Sequence, residues 1–160
     1  MKPLATTPVM TIYARALLII IAVICVDQLI KMCILQGFRW ESKALSIVLV
    51  YNNGVAFSMF ASLGAHLKWI QVGFLLVVMI YVCIKSEALR RYCLGICLML
   101  GGGISNVIDR FIHSGVVDYV YWHYGFEFAI FNLADVMIDC GVVILMAQWL
   151  WLDKKRKPRI

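Results

Sequence analysis

Four long apolar runs are the feature that most restricts what this chain can fold into. They cover about residues 16–35, 67–84, 92–108 and 132–152, and each is close to the ~20 residues a helix needs to cross ~30 Å of hydrocarbon. Because lipid offers the backbone no hydrogen-bond partners, these runs must be helical. Only 15% of the 160 residues are charged, too few for a water-facing surface. The sequence predicts one integral membrane domain, residues 1–160, with four transmembrane helices.

Basic residues are distributed unevenly around these runs. In the first and third connections, acidic residues nearly balance them, whereas the remaining polar segments are strongly basic. The positive-inside rule then predicts that both termini and the second connection are cytoplasmic and that the other two connections face outward. Nucleic-acid binding is disfavoured because no basic face is interleaved with aromatic residues. The basic segments contain Lys2, Arg15, Lys85, Arg90, Arg91, Lys154, Lys155, Arg156, Lys157 and Arg159.

Two charged residues, Asp27 and Lys31, interrupt the first run at a spacing of four. The apolar pattern continues past them to Leu35, which favours an uncleaved membrane helix over a signal peptide. Opposite charges one helical turn apart can pair and so reduce each other's cost in lipid. The spacing is compatible with a structural ion pair and with direct contact to a substrate.

The two outward connections have the composition of strands. Residues 45–51 form a β-branched run followed by a turn signal at Asn52-Asn53-Gly54, and residues 116–124 are rich in valine and aromatic side chains. We therefore expect an all-α membrane protein whose four helices carry a small extracytoplasmic β-sheet. A short interfacial helix is expected at about residues 54–63.

Two aspartates are the leading candidates for chemistry. Asp118 lies in an outward strand and Asp135 in the first turn of the fourth helix, at a similar depth near the outer interface. Two neighbouring carboxyl groups share a proton, so one could activate water while the other polarises a peptide carbonyl. Alternatively, Asp135 stabilises its helix N-terminus and Asp118 is simply solvated. Asp139, one turn below, is either a rival or a packing residue.

Further polar residues end the third helix at its outward side. Asn106 and Arg110 share one helix face and Asp109 lies between them, after three consecutive glycines that permit close helix packing. One interpretation is that these residues belong to a functional site; the competing interpretation is that they only pack the helix and that Arg110 is an ordinary arginine at the membrane interface. The cysteines form no C-x-x-C motif, so a metal cluster or disulfide framework is not expected. H-E-x-x-H and G-x-S-x-G are also absent from the sequence.

Five short motifs occur in order along the chain: D-Q-x-x-K from Asp27 to Lys31, N-x-G-x-A-F from Asn52 to Phe57, N-x-x-D-R from Asn106 to Arg110, V-V-D ending at Asp118, and F-N-x-A-D ending at Asp135. Because these motifs occur in this order in a chain with four apolar runs, the chain resembles the lipoprotein signal peptidases (signal peptidase II), which are bacterial membrane aspartyl proteases. One departure is Ser105, where the family usually has glycine.

The resemblance implies that Asp118 and Asp135 are catalytic and that no metal or other cofactor is needed. It implies a prolipoprotein substrate whose cysteine carries diacylglycerol, cut on the N-terminal side of that cysteine. We expect the protein to lie in the bacterial inner membrane in contact with lipid, and the distribution of basic residues predicts the site at the outer face. A monomer is expected, and a weak oligomer is the alternative. The implied substrate-binding residues are Asn52, Gly54, Asn106, Arg110 and Asn132, and the implied structural residues are Asp27, Lys31 and Asp109.

The sequence also disfavours two other classes of protein. A small proton-coupled transporter would use Asp27, Lys31 and Asp139 as a relay, but the carboxylates cluster toward the outer helix ends and leave the inner halves nearly uncharged. A cysteine-based redox protein would place its thiols in the outward connections, and the sequence does not.

Overall fold

Four long helices and three short strands make up the chain in a computed structural model, which describes residues 8–54, 63 and 66–156. All four helices are long and apolar enough to span a membrane, which confirms the predicted multi-pass architecture. The expected interfacial helix at residues 54–63 lies almost wholly outside the described residues. The elements are α1 (Val9–Leu35), β1 (Trp40–Glu41), β2 (Leu45–Asn52), α2 (His66–Ile84), α3 (Ser86–Ile112), β3 (Val116–Trp122) and α4 (Leu133–Arg156).

Helix α3 is the centre of the bundle. Half of its apolar span is buried by protein. In each of the other three spans, 17% or less is buried, so most of their side chains point away from the bundle. It packs against α1 and α4 and, less extensively, against α2. Glycines allow the close α3–α4 contact: a Cβ on Gly102 would collide with the Ala134 carbonyl oxygen of α4, and one on Gly141 would lie 2.7 Å from the Gly95 carbonyl oxygen.

The third helix is longer than its apolar run predicts. It begins at Ser86 instead of about residue 92, and a non-helical Tyr92 (φ −123°, ψ 21°) kinks it where the polar first segment meets the apolar one. Lys85 alone therefore separates α2 from α3. Arg90 and Arg91 belong to the helix and not to a connection, because a polar amphipathic segment can be helical without contributing to hydropathy.

The three strands form one antiparallel sheet in the order β1-β2-β3. Both predicted strands are present, while the two-residue β1 was not predicted. Val50 pairs with Asp118 and Asn52 with Val116, after an irregularity in register between Ile47 and Val50. This register makes Asn52 a diagonal neighbour of Asp118 on the same face of the sheet.

Substitution of Gly102 tests the close α3–α4 contact. We expect Gly102→Ala to destabilise the protein by ~1–3 kcal/mol, because the new methyl group can be accommodated only if the helices shift. Gly73→Ala is the matched control: its Cβ would meet nothing within 4 Å in the described chain, and alanine favours a helix by ~1 kcal/mol over glycine. Thermal unfolding in detergent measures both, and equal midpoints for the two variants would contradict the packing.

Candidate active site

The Asp118 side chain lies on β3 and is only 2% exposed. Two asparagine amides hold its carboxylate: Asn52 Nδ2 donates to Oδ2 at 2.9 Å and Asn132 Nδ2 donates to Oδ1 at 2.7 Å. Asn52 comes from the paired strand β2, and Asn132 from the segment just before α4. Both carboxylate oxygens therefore have a fixed direction, set by the sheet on one side and by a helix terminus on the other.

Asp135 lies in the first turn of α4 and is held by a reciprocal cap with Asn132. The Asp135 N–H donates to Asn132 Oδ1 at 2.9 Å, and the Asn132 N–H donates back to Asp135 Oδ2 at 3.2 Å. This is the geometry of a capping box, with asparagine and aspartate in the two roles. Asn106 Nδ2 from α3 donates to the other oxygen, Oδ1, at 2.8 Å. Asn132 thus connects the two aspartates.

The N-terminus of α4 is satisfied by three different parts of the protein. The Leu133 N–H donates to the Tyr119 hydroxyl at 3.1 Å, the Ala134 N–H to Asp27 Oδ1 at 2.9 Å, and the Asp135 N–H to Asn132. The free N–H groups that begin every helix therefore fix α4 against β3 and α1. Asp135 occupies a defined position as a consequence.

Asp118 and Asp135 face one cavity of about 320 Å³. Four of the five residues expected to bind substrate line it as well, and the fifth, Asn132, is fully buried behind the two carboxyl groups. Deeper in the cavity are Gln71, Ile138 and Asp139. The four lining residues are Asn52, Gly54, Asn106 and Arg110.

A buried ion cluster lies behind the cavity. Lys31 Nζ is 2.7 Å from Asp27 Oδ2 and 2.7 Å from Asp109 Oδ2, and all three side chains are at most 1% exposed. The predicted Asp27–Lys31 pair is therefore present, joined by a second carboxylate from α3. Ser105 Oγ donates to Asp27 at 2.7 Å, and Gln28 Nε2 donates to Asp109 at 2.8 Å. Every carboxylate oxygen in the cluster accepts at least one hydrogen bond.

The ion cluster sets the orientation of Asn106. Lys31 Nζ, which can only donate, lies 2.9 Å from Asn106 Oδ1. The amide nitrogen of Asn106 must therefore point the other way, toward Asp135. A charge buried in the bundle thus determines which atom of the asparagine faces the cavity.

Arg110 fixes the end of β2. Its guanidinium donates to the backbone carbonyl oxygens of Asn52, at 3.3 Å, and of Gly54. The Asn52 side chain closes the turn by accepting the Gly54 N–H at 2.9 Å. Arg110 is 5% exposed, so it acts on the backbone of the turn while its remaining surface borders the cavity.

Burial raises the pKa of Asp118 to about 6. The hydrogen bonds from Asn52 and Asn132 favour the ionised form and oppose the shift, whereas the nearby negative charge of Asp135 adds to it. A carboxyl group with a pKa near 6 is easily converted between its two protonation states close to neutral pH. That property suits a group that must exchange a proton during a reaction.

Three residues in this network were missed at the sequence level. Gln28 lies within the D-Q-x-x-K motif but was not singled out, and Ser105 was noted only as a departure from the usual glycine. Tyr119 follows Asp118 directly, and the sequence identifies it only as an aromatic residue of a predicted strand. Their roles depend on contacts between distant parts of the chain, which residue spacing does not reveal. Among the described residues, no group of three His, Cys, Asp or Glu side chains is arranged to hold a metal.

The fold and the cavity define a multi-pass membrane protein in which three aspartates, Asp118, Asp135 and Asp139, line one cavity at the edge of the hydrophobic spans. Residues 19–151 match the family described as Signal peptidase (SPase) II. The chain therefore belongs to the signal peptidase II family, a family of proteases.

Individual relatives agree with this assignment. The chain is 52% identical to the lipoprotein signal peptidase of Wolinella succinogenes over 140 residues, which cover 88% of this chain and 96% of that protein. It is 48% identical to a lipoprotein signal peptidase of Helicobacter pylori, with 89% and 94% covered. A solved bacterial membrane enzyme, determined by the in meso method at 2.3 Å resolution, superposes with a TM-score of 0.79 at 27% identity and covers 92% of this chain and 94% of its own.

The titration of Asp118 tests the electrostatics of the cavity. Asn52→Ala should raise the Asp118 pKa, because it removes a hydrogen bond to the charged form, and Asp135→Asn should lower it, because it removes a neighbouring negative charge. Infrared spectroscopy can follow the carboxylic acid band that disappears in Asp118→Asn. Shifts of the same sign in both variants would contradict this account.

Proposed function

We propose that the protein is an aspartic endopeptidase that removes the signal peptide from diacylglyceryl-modified prolipoproteins. The bond cut is the one on the N-terminal side of the lipidated cysteine. One observation carries the proposal: Asp118 and Asp135 face a single cavity, and amide donors hold each carboxyl group in a fixed direction. The names of the relatives supply the substrate class, since they are lipoprotein signal peptidases.

In the proposed mechanism, one aspartate is ionised and the other protonated. The ionised carboxylate takes a proton from water as the water oxygen bonds to the scissile carbonyl carbon. The protonated aspartate gives its proton to the carbonyl oxygen, which yields a neutral tetrahedral diol. The C–N bond then breaks, the amine takes a proton from the first aspartate, and a diol hydroxyl returns its proton to the second. The shared proton is thereby restored.

The surrounding residues bind and orient in this proposal. Asn106 and Asn132 position the carboxyl groups through the hydrogen bonds described above. Asn52, Gly54 and Arg110 form the side of the cavity beneath the β2 turn, where an extended peptide would contact backbone and side-chain amides. Asp27, Lys31 and Asp109 support the site from behind and do not touch substrate.

The position of the cavity suits a lipid-anchored substrate. It lies where α3 ends and α4 begins, beside the sheet, so its catalytic groups are at one edge of the hydrophobic spans. A diacylglyceryl cysteine is held in one leaflet, which keeps the bond next to it at that same depth. We propose a monomer in the bacterial inner membrane with cytoplasmic termini and the cavity at the outer face, in line with the charge distribution.

Cleavage of a diacylglyceryl prolipoprotein in detergent tests the catalytic pair. Asp118→Asn and Asp135→Asn should each lower kcat by at least ~10²–10⁴-fold, since each removes one proton-transferring group. Glu87→Gln is the matched carboxylate-to-amide control, because the Glu87 side chain is 84% exposed on the first turn of α3, and it should cleave at the wild-type rate. A variant of either aspartate with full activity would eliminate that residue from catalysis.

A further inference from the structure

A second polar region lies deeper in the same cavity. Asp139 is one helical turn below Asp135 on α4, about 6 Å further along the helix axis, and Gln71 lines the cavity from α2. Gln71 also borders an adjoining apolar cavity of about 280 Å³, together with Phe74, Val78, Met99 and Leu145. Gln71 therefore lies where the polar part of the cavity meets its apolar continuation, and Asp139 lines the polar part.

Within residues 8–54, 63 and 66–156, Gln71 Oε1 and the Asp139 carboxyl group have no hydrogen-bond partner, unlike the carboxyl and asparagine groups around the aspartate pair. Gln71 Oε1 is buried and accepts no hydrogen bond from any described residue. Asp139 lines the same cavity from a membrane-spanning helix, is exposed, and makes no hydrogen bond or ion pair within the described part of the chain. A polar group in a membrane span is costly unless water or another polar group pairs with it. A group that enters the cavity can supply that partner.

The chemistry of the two side chains indicates what that group is. Gln71 can donate and accept hydrogen bonds, and a carboxylate accepts them. An unwound peptide offers both N–H donors and carbonyl acceptors, whereas the ester groups of a lipid offer acceptors only. A signal peptide that is helical in the membrane must unwind next to the bond that is cut, and in lipid the freed backbone groups need new partners.

We propose that Gln71 and Asp139 form a subsite that binds the unwound backbone of the signal peptide just before the cleavage site. The proposal rests on the peptidase function proposed above and extends it to the part of the substrate that runs into the membrane. Gln71 and Asp139 are positioning residues, because they bind substrate away from the reacting atoms. The apolar cavity beyond them receives side chains of the signal peptide.

Substrates with single backbone N–H groups replaced by ester oxygens test this subsite. In a diacylglyceryl peptide, each N–H in the four residues before the cysteine is replaced in turn, and kcat/KM is measured. Loss of one bound N–H should lower the wild-type value about 3–10-fold at one position, the size expected for a single hydrogen bond. Gln71→Met or Asp139→Leu should lower kcat/KM for the all-amide substrate similarly, mainly through KM, and should abolish the effect of the ester at that position.

Two further variants keep the result interpretable. Gln148→Met is the matched control, because Gln148 Oε1 is also buried with no partner among the residues that the structure describes, but borders neither cavity. This variant should keep both the wild-type rate and the wild-type ester effect. Asp139→Asn retains a hydrogen-bond acceptor and should keep the ester effect that Asp139→Leu loses.

The outcomes of this experiment distinguish an error in the subsite from an error in the proposed peptidase function. If Gln71→Met and Asp139→Leu keep the full ester effect at every position, the subsite does not bind the peptide backbone and the proposal is wrong. It is also wrong if these variants instead become insensitive to ether linkages in place of the two lipid esters, which would assign the subsite to the lipid. If the wild-type protein cleaves no all-amide substrate, the proposed peptidase function itself fails.

Discussion

The buried contact of Lys31 with Asp27 and Asp109 is the interaction on which the rest of the site depends. It joins α1 to α3, and through the Asp27–Ala134 and Asp109–Val117 hydrogen bonds it also joins α4 and β3. One amine lies between two carboxyl groups in a nearly solvent-free place. Removing one partner of such a cluster typically costs ~3–5 kcal/mol, because the remaining charge is left unpaired. The cost makes this arrangement of the four elements strongly preferred over alternatives.

The orientation of the catalytic candidates follows from this cluster. Lys31 turns the Asn106 oxygen inward and its nitrogen toward Asp135, and Asp27 holds the first turn of α4 that carries Asp135. Asn132, which is hydrogen-bonded to Asp135, in turn donates a hydrogen bond to Asp118 and so orients its carboxyl group. The two carboxyl groups are thus placed by a chain of charged and amide groups, none of which is free to rotate without losing a buried hydrogen bond. Such preorganisation is what a proton-transferring pair needs.

Most of the fold could be predicted from the sequence because hydropathy and strand composition are local properties. The four spans, the two main strands and the Asp27–Lys31 pair all follow from spacing within a single segment. The start of α3 at Ser86 was missed because its first segment is polar. Contacts between segments were also missed: nothing in the spacing indicates that Asp109 joins Lys31, or that Ser105 donates to Asp27 where the family usually has glycine. A serine there adds a hydrogen bond to the ion cluster.

We propose that Asp118 and Asp135 share one proton and divide the acid and base roles. The dependence of kcat/KM on pH for prolipoprotein cleavage tests this most directly. The account predicts a profile that rises and then falls, with one limb near pH 6, where the pKa of Asp118 lies, and with both apparent values belonging to the pair. A profile that rises once and stays flat toward alkaline pH would contradict it, because a single ionised carboxylate would then be sufficient.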